Sequence, residues 1–242
     1  MNIENGLKYR VEYKDIGVRD YKETWDYQTE IFDKLVSYKK SAGSQMIPAE
    51  NKPAGTLIFV EHPHVYTLGK SGSEDNLLVD YIQLKARDAS FYKIDRGGDI
   101  TYHGPGQIVG YPIFDLDAIN IGLKEYIYKL EEAIIQTVAE YGLKASRLNG
   151  GTGVWLDPDK KGKARKICAI GVRASRYITM HGFAFNVNTS LDYFNFINPC
   201  GFTDKGVTSL EKELGSRQDY DKAKEIVRRK LEDIFDLEIV NK

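Results

Sequence analysis

Two residues offer a sulfur nucleophile, Cys168 and Cys200, and one lysine stands beside the first of them in an apolar run. Cys200 lies in Ile197-Asn198-Pro199-Cys200-Gly201-Phe202, where proline before and glycine after define a turn able to hold a thiol at a cleft. Cys168 lies in Lys166-Ile167-Cys168-Ala169-Ile170-Gly171-Val172, where a small core residue is the ordinary expectation. A free thiol titrates near about 8.5 and needs a cationic neighbour or a helix end to ionise near neutrality. Lys166 is a candidate for that neighbour because it enters an otherwise apolar strand, although a strand-end lysine turned to solvent gives the same pattern. Such a pair would do nucleophilic chemistry through a thiolate. Spacing alone does not choose between the two cysteines.

A second concentration of chemistry runs from Arg96 to Gly110, Arg-Gly-Gly-Asp-Ile-Thr-Tyr-His-Gly-Pro-Gly-Gln-Ile-Val-Gly. Five glycines there cost backbone entropy, so the segment needs left-handed dihedrals or close approach of a ligand. They alternate with groups able to hydrogen-bond, among them Arg96, Asp99, Thr101, Tyr102, His103 and Gln107. A pair of tight hairpin turns would use the same glycines. The pattern is neither G-x-G-x-x-G nor a P-loop, so it gives no support for cradling nucleotide phosphates. The weaker cluster Asn149-Gly150-Gly151-Thr152-Gly153 reads as a turn before a strand.

The four histidines, His62, His64, His103 and His181, show no H-x-x-x-H spacing, and neither cysteine sits at zinc-finger distance from another. No metal and no cofactor are therefore expected. His62 and His64 flank Pro63 at a strand end and are read as shaping a turn. The run Lys160-Lys161-Gly162-Lys163-Ala164-Arg165-Lys166 is either a solvated loop or a docking patch for an acidic partner.

These residues have to be positioned by regular elements. Alternation predicts a strand over Lys8–Tyr13, and apolar residues from Tyr21 to Val36 predict an amphipathic helix over about Asp20–Lys39. After a loop with Pro48 and Pro53, strands are expected at Thr56–Val60, Phe91–Ile94 and Gln107–Phe114. The clearest helix is Gly122–Tyr141, with Tyr126, Leu130, Ile134 and Val138 at four-residue steps. Strands follow at Gly153–Leu156, Lys166–Val172 and Gly182–Val187, then a helix at Tyr220–Phe235 and a strand at Leu237–Val240. Strands outnumber helices and come in runs, which predicts an α+β fold, a mixed sheet with helices packed on one side, rather than a doubly wound dinucleotide fold.

Composition bounds the function. Of 242 residues, 34 are Lys or Arg and 35 are Asp or Glu, a net charge of −1 that argues against a nucleic-acid binder. Apolar residues at 42% and charged residues at 29% exclude a disordered chain. No apolar run approaches the roughly 18–20 residues of a membrane span. Met1 to Gly6 lacks the apolar core of a signal peptide, and two cysteines make no disulfide framework. A cytoplasmic protein of one domain, residues 1–242, is expected.

Taken together, four blocks resemble the lipoyl(octanoyl) transferases, the LipB family of lipoate biosynthesis: Glu61-His62-Pro63-His64-Val65-Tyr66-Thr67-Leu68-Gly69, the Arg96–Gln107 block, Lys166–Arg173, and His181-Gly182-Phe183-Ala184-Phe185-Asn186-Val187 with Asn198-Pro199-Cys200-Gly201. Their order and spacing agree over roughly residues 55–205. His64 stands where many members carry a second proline. The resemblance implies a fold related to the catalytic domain of biotin and lipoate protein ligases. It also implies a dyad of Cys200, as acyl-thioester cysteine, and Lys166, and it assigns Cys168 to packing. By the same matching Arg96, Gly97, Gly98, Asp99, Ile100, Thr101, Tyr102 and His103, then Ala169, Ile170 and Gly171, then Gly182, Phe183 and Ala184, would line the acyl pocket.

The resemblance further implies ping-pong acyl transfer. The donor would be octanoyl-acyl carrier protein, and the acceptors lipoyl domains of 2-oxoacid dehydrogenase E2 subunits and the glycine cleavage H protein. Neither nucleic acid nor membrane would be a partner. A lipoate or biotin ligase of the same fold would need ATP and a phosphate-binding loop, and no G-R-G-R-type loop or lipoate-ligase glycine block is present. A binding module without catalysis would have no use for an activated thiol beside Lys166.

Overall fold

The computed structural model describes residues 8–41, 54–198 and 205–241. The loop with Pro48 and Pro53 and the turn holding Cys200 lie outside the described residues. In chain order the strands are β1 (Tyr9–Val18), β2 (Gly55–Glu61), β3 (Val65–Leu68), β4 (Ser90–Lys93), β5 (Ile100–His103), β6 (Gln107–Phe114), β7 (Ala145–Leu148), β8 (Gly151–Leu156), β9 (Arg165–Ser175), β10 (Ile178–Asn186), β11 (Gly206–Val207) and β12 (Leu237–Asn241). The helices are α1 (Tyr21–Ser41), α2 (Tyr81–Lys85), α3 (Leu123–Ala139), α4 (Leu210–Leu214) and α5 (Tyr220–Phe235). None is long and apolar enough to cross a membrane.

Among the described residues the large sheet runs β12-β1-β2-β6-β10-β9-β8-β7, with β11 on β9, and a small sheet runs β4-β3-β5. β1 is parallel to β2 and β12, whereas β6, β10, β9 and β8 pair antiparallel, so the sheet is mixed as the sequence predicts. Alternation in β2 shows how the layers form. Leu57 and Phe59 enter one core, shared with Tyr126, Leu130, Ile134 and Val138 of α3 and Val227, Leu231 and Phe235 of α5. Ile58 and Val60 enter another, shared with Phe32 and Val36 of α1. Helices therefore cover both faces, which corrects the expectation of one. The cause is β2 and β6, apolar on both sides, since both strands are buried over nearly their whole length.

Helix starts follow their caps. The Asp20 carboxylate accepts from the N–H groups of Lys22 at 2.7 Å and Glu23 at 3.1 Å, which fixes the start of α1. The Asp219 carboxylate accepts from Lys222 N–H at 3.0 Å at the start of α5. β3 and β5, not expected from alternation, are short and mostly buried, and they carry Thr67 and His103 into the interior.

Pairing along β9 positions Lys166. β10 pairs with Cys168 to Ser175, which leaves the adjoining edge of Arg165 and Lys166 to β11. Lys166 thus has Trp155 of β8 as cross-strand partner on one side and Val207 of β11 on the other.

Candidate active site

A cavity of about 430 Å³ opens against β9, β10 and the glycine-rich segment. It brings together residues far apart in sequence. Lys166 borders it with Trp155, and the Lys166 Nζ lies 4.7 Å from the centroid of the Trp155 ring. The backbone around Lys166 anchors the chain returning from the 199–204 segment: Gly206 N–H donates to Ala164 O at 2.9 Å, and Thr208 N–H to Lys166 O at 2.9 Å. On the other flank, Asn198 N–H donates to Asn76 O at 2.8 Å. Phe194 and Lys205, the described cavity residues on either side of that segment, line the same cavity as Lys166.

The Arg-Gly-Gly loop is bound to β9 and β3 rather than hanging free. Gly97 N–H donates to Val172 O at 2.9 Å, and the Arg96 guanidinium donates to Thr67 O at 2.7 Å and Thr67 Oγ1 at 3.0 Å. This burial of Arg96 leaves Gly97 and Gly98 backbone bordering the cavity. A Cβ at Gly171 would come within 2.9 Å of Gly97 O, so the glycine that ends Lys166-Ile167-Cys168-Ala169-Ile170-Gly171 is what allows the loop to close on β9.

Behind the loop lies a neutral buried relay. His103 Nδ1 donates to Gln107 Oε1 at 2.9 Å, Gln107 Nε2 donates to Asn186 Oδ1 at 2.9 Å, and Asn186 Nδ2 donates to Thr208 O at 2.9 Å. Burial pushes the His103 imidazole down to about 3 and His62 down to about 4, so both are uncharged near neutrality. His62 bonds Arg19 O and the Tyr111 hydroxyl, both at 2.8 Å. His64 stacks on Tyr193 at 4.0 Å. Both histidines shape the interior around Pro63.

Of the residues the sequence points to, Arg96 to Thr101, His103, Ala169 to Gly171 and Gly182 to Ala184 line the cavity with Lys166. Tyr102 is not among the lining residues. It is fully buried, packs with Tyr66 and Ile100, and hydrogen-bonds to His64 Nδ1 at 2.6 Å. Strand alternation explains this, since Thr101 and His103 point to the side opposite Tyr102. Cys168 is fully buried in the main core, and burial pushes its thiol far up despite the nearby Lys166 charge. Cys200 lies outside the described residues. Tyr21, Trp155 and Asn186 also line the cavity, and in sequence they read as helix, strand and strand residues.

The family model described as the lipoyl protein ligase A/B catalytic domain matches residues 20–232. An octanoyltransferase of Parabacteroides distasonis is 54% identical over 223 residues, covering 92% of this chain and 97% of that one. An octanoyltransferase of Flavobacterium johnsoniae is 54% identical over 237 residues, covering 97% of this chain and 100% of that one. The chain belongs to the octanoyltransferase family. As a member of it, the chain is a transferase enzyme. The fold is that of the lipoate ligases: a lipoate protein ligase from Thermoplasma acidophilum with bound lipoic acid superposes with TM-score 0.66 at 15% identity, covering 98% of this chain and 89% of that one. A lipoate-protein ligase A bound with ATP gives TM-score 0.67 at 15% identity, with the same coverage of both chains. The octanoyltransferase family thus shares its layers and sheet with ligases, and chemistry has to be argued from side chains.

Proposed function

We propose that this chain moves an octanoyl group from octanoyl-acyl carrier protein to a lysine of a lipoyl domain, through a thioester on Cys200 and with Lys166 as its partner base. In the first half-reaction the Cys200 thiolate attacks the donor thioester carbonyl. The C–S bond to the phosphopantetheine arm breaks, and its sulfur leaves as a thiol with the proton given up by the Lys166 ammonium, which leaves the lysine neutral for the second half-reaction. In the second, the acceptor amine attacks the Cys200 thioester, Lys166 takes the amine proton, and the Cys200 thiolate is released as the amide forms. Backbone N–H groups of the glycine-rich loop other than that of Gly97, which is spent on Val172 O, suit the role of oxyanion donors.

The observation that carries this reading is that Lys166 and the Arg96–Thr101 loop border one cavity whose further walls include Val109, Ile127, Ile170 and Phe183. A lysine at the rim of an apolar cavity suits an alkyl acyl group carried on a thiol. Burial of Cys168 weighs against the other thiol, since a thiol pushed far up by burial is a poor nucleophile. The acceptors are the lipoyl domains of 2-oxoacid dehydrogenase E2 subunits and the glycine cleavage H protein, the chain acts as one domain over residues 1–242, and it works in the cytoplasm.

The test omits ATP. Purified protein, octanoyl-carrier protein and a lipoyl domain should give octanoylated acceptor by mass with neither ATP nor magnesium. Lys166→Ala should cripple both half-reactions, and Lys166→Arg should be nearly as damaging because arginine keeps the charge but cannot accept a proton. Transfer seen only from free octanoate plus ATP would restore the ligase alternative.

A further inference from the structure

Lys166 reaches the cavity against the alternation of its own strand. Cys168, Ile170 and Val172 of β9 pack with the core that α3 and α5 cover, whereas Gly171 faces the Arg96–Gly97 loop and Arg173 the Phe32 ring of α1. Strict alternation would send Lys166, two residues before Cys168, into the α3 and α5 core. The register of β8 on β9 prevents this. Val154 pairs with Cys168 and Trp155 with Lys166, so one step along β8 spans two along β9. Ile167 is the extra residue, and it enters the same core as Cys168. This bulge shifts the alternation by one and turns Lys166 to the Trp155 side of the sheet.

The register is pinned on both sides of the bulge. On one side Arg165 pairs with Leu156 and is held by Asp157 and Glu213, and Lys166 O accepts from Thr208 N–H. On the Cys168 side the holder is Glu131 of α3. Its carboxylate is buried, with Oε1 accepting from Gly153 N–H at 2.9 Å and Oε2 from Arg147 Nε at 3.0 Å. Leu148 pairs with Gly151 and Arg147 with Val154, so Thr152 and Gly153 fall outside the β7 register. Gly153 sits at φ +112°, and a Cβ there would come within 2.5 Å of Cys168 O. Its backbone therefore lies directly on β9 beside the bulge, in a conformation that favours glycine. A buried carboxylate on a helix thus fixes the stretch of β8 against which the bulge forms.

We propose that Glu131 is a positioning residue for the transfer: by holding Gly153 against Cys168 it keeps the bulge at Ile167 in place and so aims Lys166 at the cavity. The idea rests on the acyl-transfer reading above and deepens it by naming what orients the base. Without the carboxylate the buried Gly153 N–H loses its acceptor, and β8 is drawn away from the register that the bulge requires. Regular pairing in its place would send an ammonium into an apolar core, which is costly. The two strands then part locally, and Lys166 loses its fixed aim. The Gly153 bond needs an acceptor of the right reach more than it needs a charge, so a glutamine can stand in for it.

The experiment measures steady-state octanoyl transfer from carrier protein to a lipoyl domain by mass, in Glu131 and Lys166 variants singly and combined. In Glu131→Leu, kcat should fall roughly a hundredfold, the cost of misplacing a catalytic group by about an ångström, while KM for the octanoyl-carrier protein holds. Glu131→Gln should recover most of that loss. In a Lys166→Ala background Glu131→Leu should cost less than about threefold more, because the residue it aims is gone. Glu131→Asp keeps a carboxylate for Arg147 but is one methylene short of Gly153. It guards against a leucine variant that fails to fold, and its kcat should fall about tenfold. Full kcat in a folded Glu131→Leu or Glu131→Asp would overturn the inference. So would a Glu131→Gln as slow as the leucine variant, or a leucine loss undiminished in the Lys166→Ala background, the mark of general destabilisation. A wild type that transfers no octanoyl, or a Lys166→Ala as fast as the wild type, would instead overturn the acyl-transfer reading.

Discussion

Trp155 and Lys166 are cross-strand partners on β8 and β9, and the indole ring lies under the lysine ammonium at 4.7 Å. An aromatic face attracts the cation through its quadrupole without taking its proton, a contact of about 0.5–2 kcal/mol according to how far it is desolvated. Trp155→Leu should therefore lower the rate of octanoyl transfer about tenfold, with Trp155→Phe retaining part of the loss. Single-turnover acylation of each variant measures this, and a leucine variant as fast as the wild type would remove Trp155 from the positioning of Lys166.

Gly182 fits between strands with no room for a side chain. A Cβ there would come within 2.1 Å of Gly110 O, which is β6 backbone and cannot swing aside. Gly182→Ala should cost about 2 kcal/mol, or roughly 4–8 °C in Tm for a chain of this size. Thermal unfolding checks it, and an unchanged Tm would show that β6 and β10 separate more easily than their packing implies.

Stability should fall on mild acidification. His62 and His103 are held near about 4 and about 3 by burial, below the ordinary histidine value of about 6.5. The unfolded chain therefore binds protons below pH 6.5 that the folded chain refuses, so stability is fully present above 6.5 and is lost as pH falls toward the folded values. The carboxyls lowered by ion pairs, such as Glu213 and Asp95, add to the loss only below about pH 4.5. Tm measured from pH 7 to 4.5 should drop steadily. A flat profile across that window would mean these imidazoles are not buried neutral.

The basic run divides in the structure. Arg165 is committed to Asp157 at 2.7 Å and Glu213 at 2.5 Å, and Lys160 pairs with Asp157 at 2.6 Å, whereas Lys161 and Lys163 are exposed side chains of the loop before β9. If this loop docks an acidic carrier, Lys161→Glu with Lys163→Glu should weaken carrier binding severalfold and flatten its salt dependence. Turnover of a small octanoyl thioester should be untouched. Carrier affinity unchanged by the double variant would leave the run a solvated loop.

Much of this arrangement is legible in the sequence where periodicity and side-chain chemistry agree. α3 and α5 show their buried faces at four-residue steps, and Asp219 caps α5 where the apolar pattern begins. The Arg96–Gln107 block announces a site because its glycines sit among hydrogen-bonding groups. β3 was hidden because all four of its residues are buried and nothing alternates. Trp155 facing Lys166 depends on the register irregularity between Val154 and Trp155, and Tyr21 reaches the cavity from the first residue of α1; neither is written in local spacing. His181 belongs to a recognisable block, yet its unpartnered Nδ1 emerges only once Asp95 is folded against it.

The central claim is that Cys200, and not Cys168, carries the acyl group in transfer. Intact mass after mixing with octanoyl-carrier protein, without acceptor, tests it most directly. Wild type and Cys168→Ala should each gain one octanoyl group, and Cys200→Ala should gain none. An octanoyl adduct on Cys200→Ala, or none on Cys168→Ala that is otherwise folded, would contradict the account.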